Sequence, residues 1–242
     1  MGILNVIGIG PGAKEHMTIS AYESLKDSDV IIGYTKYVAL LPEELKGIRT
    51  ISTGMGSEEE RCRIALDEAS NNRSVSLICS GDSVVYGMAG LVYELLHDYS
   101  NVTVNVVPGV TAAISGSALI GAGIGNDFAV ISLSNYLTEK EDTYKRLKAC
   151  AQADFVMALY NPVSKMRPDC LKNACEYLMV YIPKDRVCAV AKNIGRKDEC
   201  FEIMPLEELA EYEADMFSTV FIGSSKTVCI DGKFVTRRGY KV

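Results

Sequence analysis

The residues of this chain that could do chemistry gather in short runs where an apolar stretch stops. Gly81-Asp82-Ser83 follows the apolar, β-branched run at 75–79 and precedes residues 86–99, whose apolar positions recur at helical spacing. A glycine and an acid at such a strand-to-helix hand-over sit on the carboxyl edge of an open α/β sheet, where ligands bind. There the glycine admits close backbone approach, and the carboxylate can accept hydrogen bonds from a ligand. The same residues read equally well as a turn and helix cap. Gly8-Ile9-Gly10-Pro11-Gly12-Ala13 ends the strand at 3–9, and Pro108-Gly109-Val110-Thr111-Ala112 ends the strand at 102–107. Two basic runs follow later strands: Lys165 and Arg167 after 154–160, and Lys192, Arg196 and Lys197 after 187–191. One reading is solvated surface charge. The other is carboxylate binding, for which arginine offers a bidentate fork and lysine a point charge, and the substrate is then a polyanion.

Several chemistries are excluded or disfavoured. The first glycine run has the intervals of a dinucleotide fingerprint, but Pro11 lacks an N–H and the helical pattern starts only near Thr18. The acid of that fingerprint should end the second strand, whereas Asp29 begins it. The run is better read as a tight bend shaping one wall of a cleft. With only His16 and His97, a His-rich metal site is excluded by count, and no Gly-x-Ser-x-Gly elbow supports a serine hydrolase. The eight cysteines are scattered without a Cys-x-x-Cys pair, so free thiols and no metal site are expected. A formal charge of −6 argues against a nucleic-acid or anionic-membrane surface. The N-terminal residues lack a leader pattern and no apolar run has membrane-spanning length, so the expectation is a cytoplasmic protein.

The elements that must position these runs alternate. Strands are predicted at 3–9, 30–33, 50–53, 75–79 and 102–107, with helices at 18–28, 57–71 and 86–99 between them. Ser20 with Glu23, Ser57 with Glu60 and Thr138 with Glu141 stand at capping-box spacing. A small-residue helix at 114–123 follows. The pattern then restarts with strands at 128–134, 154–160, 187–191 and 219–222, and Asp231-Gly232 signals a two-residue hairpin that makes the second sheet mixed. The fold class is α/β, with a mostly parallel N-terminal domain at 1–123, a mixed C-terminal domain at 124–242 and a cleft between them.

With these motifs in view, the chain resembles the tetrapyrrole methylases. Gly-x-Gly-Pro-Gly, Gly-Asp and Pro-Gly-Val-Thr-Ala occur in that family's order, and the resemblance covers essentially the whole chain. Within the family, residues 81–89 (Gly-Asp-x-x-x-Tyr-Gly-Met-Ala), 132–134 (Ser-Leu-Ser), 159–167 (Leu-Tyr-Asn-Pro-x-Ser-Lys-x-Arg) and 193–196 (Asn-Ile-Gly-Arg) are similar to the precorrin-3B C17-methyltransferases of cobalamin synthesis. Val84 stands where that subfamily usually has glycine, and Asn135 where aspartate is usual. The resemblance implies S-adenosylmethionine as cofactor, lined by Pro11, Gly81, Asp82, Val85, Thr111, Ala112, Tyr160, Asn193 and Thr219. It also implies a tetrapyrrole substrate with or without cobalt, methylation at C17 coupled to ring contraction, and a homodimer. For the contraction step the acid–base candidates are His16, Tyr160, Lys165 and Arg167. Methylation of C11 or C20 of a related precorrin, or a non-catalytic tetrapyrrole- or nucleotide-binding α/β protein, are the alternatives.

Overall fold

A computed structural model of the chain describes residues 1–164 and 166–241. It divides into two compact units, Met1–Thr111 and Ala112–Val242.

In the first unit β1 (Gly2–Gly8), α1 (Ile19–Lys26), β2 (Val30–Tyr34), α2 (Thr35–Val38) and β3 (Arg49–Thr53) are followed by α3 (Glu58–Ser70), β4 (Ser74–Cys79), α4 (Ala89–Leu95) and β5 (Val102–Val107). All five strands run parallel in the order β3-β2-β4-β1-β5. The inner strands are apolar without alternation because both sheet faces are covered. Leu4, Val6, Val75 and Leu77 pack with residues of α3 and α4. Ile7, Ile31 and Ile78 pack with Ala21 and Leu25 of α1 on the opposite face.

In the second unit α5 (Ala112–Ile120), β6 (Gly121–Ala122), β7 (Phe128–Ser132), α6 (Lys140–Gln152), β8 (Val156–Tyr160) and α7 (Cys170–Leu178) come first. Then come β9 (Val187–Lys192), β10 (Cys200–Pro205), α8 (Leu206–Leu209), β11 (Ser218–Ile222), β12 (Thr227–Ile230) and β13 (Lys233–Thr236). The five-stranded sheet has the order β10-β9-β11-β8-β7. It is mixed, as expected, but for another reason: β11 runs antiparallel to β8 and β9, and β10 antiparallel to β9. The hairpin β12-β13, with Asp231 and Gly232 both left-handed at φ 48° and 70°, instead joins β6 in a separate three-stranded sheet. Strand β10 was not foreseen: its residues carry Glu202 and Pro205 on a sheet edge, and the exposed alternate positions blur the apolar run.

The helix ends also differ in detail. Thr18, rather than Ser20, caps α1: its Oγ1 accepts from the Ala21 N–H at 3.1 Å and donates to the Pro108 carbonyl at 3.2 Å. Ser57 sits at the N-cap of α3 and Glu139 at that of α6, and neither makes a side-chain cap bond. Helix α5 packs with the second unit, ahead of the boundary placed at 123–124 from the sequence. Gly116 explains this: a β-carbon there would lie 2.9 Å from Phe221 Cζ and 3.0 Å from Ile194 Cδ1, so the helix lies hard against side chains of the five-stranded sheet and the loop after β9. Phe221 is fully buried with Phe234 and the alanines of β8 and β9. Phe221→Ala is expected to destabilise the protein by about 3–5 kcal/mol, measured by urea unfolding. A loss under about 1 kcal/mol would mean that the face under α5 can collapse to fill the space.

Candidate functional site

The first unit has a topological switch point between two adjacent strands. From β1 the chain passes to α1 on one sheet face, and from β4 to α4 on the other. A crevice outside the carboxyl ends of such a strand pair is where open α/β sheets bind ligands. The loops that leave there are the two glycine-bearing runs, and they are tied directly together: Gly10 and Gly81 form a two-residue bridge, with N–H to carbonyl distances of 3.0 and 2.7 Å. The loop after β5 closes on both. A β-carbon on Gly109 would lie 2.1 Å from the Gly81 carbonyl oxygen and 2.6 Å from that of Gly8, so no side chain fits.

Asp82 fastens this contact. Its Oδ1 accepts from the N–H groups of Val84 (2.8 Å) and Val85 (3.0 Å), and its Oδ2 from Gly109 N–H (2.9 Å). Next to it the fully buried Ser83 donates its hydroxyl to the Val107 carbonyl at 3.0 Å. Burial pushes the Asp82 carboxyl up, but the N–H groups of Gly109, Val85, Val84 and Ser83 outweigh it and hold the group below its ordinary range. Asp82 is therefore an anion at neutral pH whose oxygens are engaged chiefly by its own backbone. These bonds are those of the turn reading of Gly81-Asp82. Val84 is 64% exposed, and the left-handed residues of the loop are Gly81 (φ 69°) and Tyr86 (φ 53°), so nothing at position 84 requires glycine. Pro11 is buried beside the bridge, whereas Val85 and Thr111 are half-buried. His16 lies exposed in a short 3-10 turn whose backbone packs on Gly10.

The second unit gathers its own set on one sheet edge. Because β11 is antiparallel, its first residues lie level with the last residues of β9: Thr219 pairs with Ala191 and Ser218 with Lys192. Tyr160 ends β8, and its hydroxyl accepts from the Ala113 N–H at 2.6 Å, satisfying a free donor in the first turn of α5. Tyr160 thus anchors the start of the helix at Ala113, the residue after Ala112. Asn193 is left-handed (φ 51°) just beyond β9. The Ser-Leu-Ser and Asn-Pro motifs are joined as well: Asn161 Nδ2 donates to Ser132 Oγ at 2.9 Å, and Arg167 Nη1 to the Leu133 carbonyl at 2.9 Å. The other basic run is spent on aromatic rings, Lys192 over Tyr212 at 4.7 Å and Arg196 over Phe217 at 4.9 Å. Lys165 lies outside the described residues.

Arg61 was missed. It is 3% exposed, with Nε donating to Thr53 Oγ1 (2.8 Å), Nη2 to the Gly54 carbonyl (2.7 Å) and Nη1 to Met88 Sδ (3.5 Å). It therefore pins the loop after β3 to the start of α4. The signal was present: Arg61, Ala65 and Ala69 share the inward stripe of α3, which the acids at 58–60 obscure. No group of three His, Cys, Asp or Glu side chains that could hold a metal ion occurs among the described residues, and no helix among them is long and apolar enough to cross a membrane.

Comparison with known proteins agrees with this architecture. Residues 4–210 match the family model of the tetrapyrrole (corrin/porphyrin) methylases, and the chain belongs to that family. It is 39% identical over 239 residues to a probable cobalt-factor III C(17)-methyltransferase of Salmonella typhimurium, covering 98% of this chain and 99% of that one. It is 41% identical to the cobalt-factor III methyltransferase of Priestia megaterium over 99% of this chain, which spans only 45% of that longer protein. The crystal structure of the methyltransferase CobJ superposes with a TM-score of 0.91 at 31% identity, covering 98% of this chain and all of that one.

Asp82→Ala is expected to lower the unfolding free energy by about 2–4 kcal/mol, since each buried N–H left without an acceptor costs about 1–3 kcal/mol. Asp82→Asn, which keeps one acceptor oxygen, should lose less. Because the folded pKa lies below the unfolded value of about 3.9, the carboxylate's contribution is complete above that pH and is lost as pH falls through the folded pKa. The difference in denaturation midpoint between wild type and Asp82→Asn should therefore shrink in acid. A difference independent of pH would show that the charge is not what holds the loops.

Proposed function

We propose that this protein transfers a methyl group from S-adenosylmethionine to C17 of a precorrin-3-type tetrapyrrole, cobalt-factor III or precorrin-3B, with coupled ring contraction in cobalamin synthesis. The observation that carries the reading is the locked edge of the first unit, where three loops meet backbone to backbone around an ionised aspartate. Methyl transfer by in-line displacement asks chiefly for positioning and exclusion of water, and orientation alone can supply about 7–11 kcal/mol of such a barrier. When bound, S-adenosylmethionine supplies an electrophilic methyl on a sulfonium and leaves as the neutral thioether. The residues fit such a group as a shaped backbone edge carrying one fixed negative charge rather than as a ring of side-chain ligands. The residues proposed to bind it are Pro11, Gly81, Asp82, Val85, Thr111, Ala112, Tyr160, Asn193 and Thr219. Asp82 acts mainly by holding the loops in register, because its oxygens accept three backbone N–H groups. Of the acid–base candidates for ring contraction, Arg167 and Tyr160 are held by hydrogen bonds within the second unit. Among the described candidates His16 is the exposed one. The protein works as a cytoplasmic homodimer.

The test is transfer of label from methyl-labelled S-adenosylmethionine to cobalt-factor III under strict anaerobiosis, with the methylated carbon located by carbon NMR. Label at C17 is the expected result. Label at C11 or C20 would reassign the chain within its family, and binding of both ligands without transfer would make it a carrier. Asp82→Ala is expected to weaken S-adenosylmethionine binding at least tenfold in calorimetry, and unchanged binding would separate the clip from the cofactor site.

A further inference from the structure

A cavity of about 240 Å³ opens in the second unit between the first turns of α6 and the loop that follows β8. It lies within this unit alone and is lined in part by Asn135, Lys140, Thr143, Arg167, Asp169 and Asn173. Three features set it apart from an ordinary surface hollow. Thr143 is 4% exposed, and among the described residues its hydroxyl is the one buried side-chain oxygen or nitrogen without a hydrogen-bond partner. A buried hydroxyl left so carries a desolvation cost that a ligand atom in the cavity would relieve. Arg167 spends one guanidinium N–H on the Leu133 carbonyl, which fixes the plane of the fork, and it forms no ion pair among the described residues. Lys140 likewise has no carboxylate partner among the described residues, its ammonium standing 5.3 Å from the centre of the Tyr144 ring.

The charges decide the ligand class. Two cations, Lys140 and Arg167, face one acid, Asp169, so the wall carries a net single positive charge, supplemented by the amides of Asn135 and Asn173. A planar monoanion that takes two parallel N–H groups from an arginine fork and one O–H from a threonine meets all of these demands. At about 30 Å³ per water, the space holds several waters or one short acid. We propose that this cavity is a carboxylate-binding subsite, with Thr143, Arg167 and Lys140 as its donors. The carboxylate can belong to an acid side chain of the macrocycle or to a free small acid. The first source rests on the function proposed above, and the pocket chemistry does not.

The probe is sodium propionate, titrated into the full-length labelled protein while the Arg167 Nε–H and the Asn135 and Asn173 side-chain amide resonances are followed by NMR. Saturable shifts at all three are expected, with none from the neutral isostere propionamide. Thr143→Val, which keeps shape and removes the hydroxyl, should weaken propionate at least roughly tenfold while leaving the melting temperature of the ligand-free protein unchanged or higher. Asn135→Asp, which adds a negative charge to the wall, should abolish the shifts of the two remaining reporters, Arg167 and Asn173. No saturable shift, an equal response to propionamide, or a Thr143→Val variant that melts lower without ligand would overturn the proposal; the last would mean that the hydroxyl is already satisfied. Competition between propionate and the tetrapyrrole assigns the site to the macrocycle, and simultaneous binding assigns it to a free acid. Propionate binding without methyl transfer would defeat the function proposed above and leave the subsite standing, whereas transfer without propionate binding would do the reverse.

Discussion

The first unit depends on a single carboxylate. Asp82 accepts N–H groups from its own loop and from the loop after β5, across a contact so close that Gly8, Gly81 and Gly109 meet without side chains. Side-chain-free backbones can approach this way only if their polar groups are paired, because an orphaned N–H at such a contact costs as much as the contact returns. A charged acceptor bonds several donors at once and roughly twice as strongly as a neutral one. The same group ties the loops of this edge to one another as well as to the sheet, where loops are ordinarily the mobile parts of a fold.

The second unit reaches order at its sheet edge by a different route. Single side-chain hydrogen bonds link the loops in pairs: the neutral Tyr160 to the start of α5 and Asn161 to Ser132, and the cationic Arg167 to the backbone at Leu133. Each link joins segments that lie far apart in the chain, so the motifs are one cluster in space although they are separate runs in sequence. The basic residues divide by the same criterion. Lys192 and Arg196 stack on rings and serve packing, while among the described residues Arg167 keeps most of its donors and Lys140 has no acid partner.

Much of this was legible beforehand. Apolar runs of β-branched residues located nine of the strands, most plainly β1, β2, β4, β8, β9 and β11, which are buried along most of their length and so leave little alternation to confuse the reading. The glycine and acid positions located the edge, since only particular backbone geometries require Gly8, Gly81 and Gly109. Caps were less legible. Ser20 and Ser57 have capping-box spacing, yet Thr18 caps α1 and Ser57 makes no side-chain bond, because the geometry of chain entry decides which oxygen reaches an N–H.

The α/β class, the order of most elements, the loops of the candidate site and the resemblance to a family could all be read from the chain alone. Each rests on local spacing or on backbone geometry encoded within a few residues. Only the tertiary structure decided that β11 runs antiparallel and so brings Thr219 level with the end of β9, that α5 belongs with the second unit, and that Arg61 is buried. It also decided that the oxygens of Asp82 are engaged by backbone N–H groups. Strand direction, partner choice and the emptiness or occupancy of a carboxylate's lone pairs depend on residues distant in the chain, and no local pattern records them.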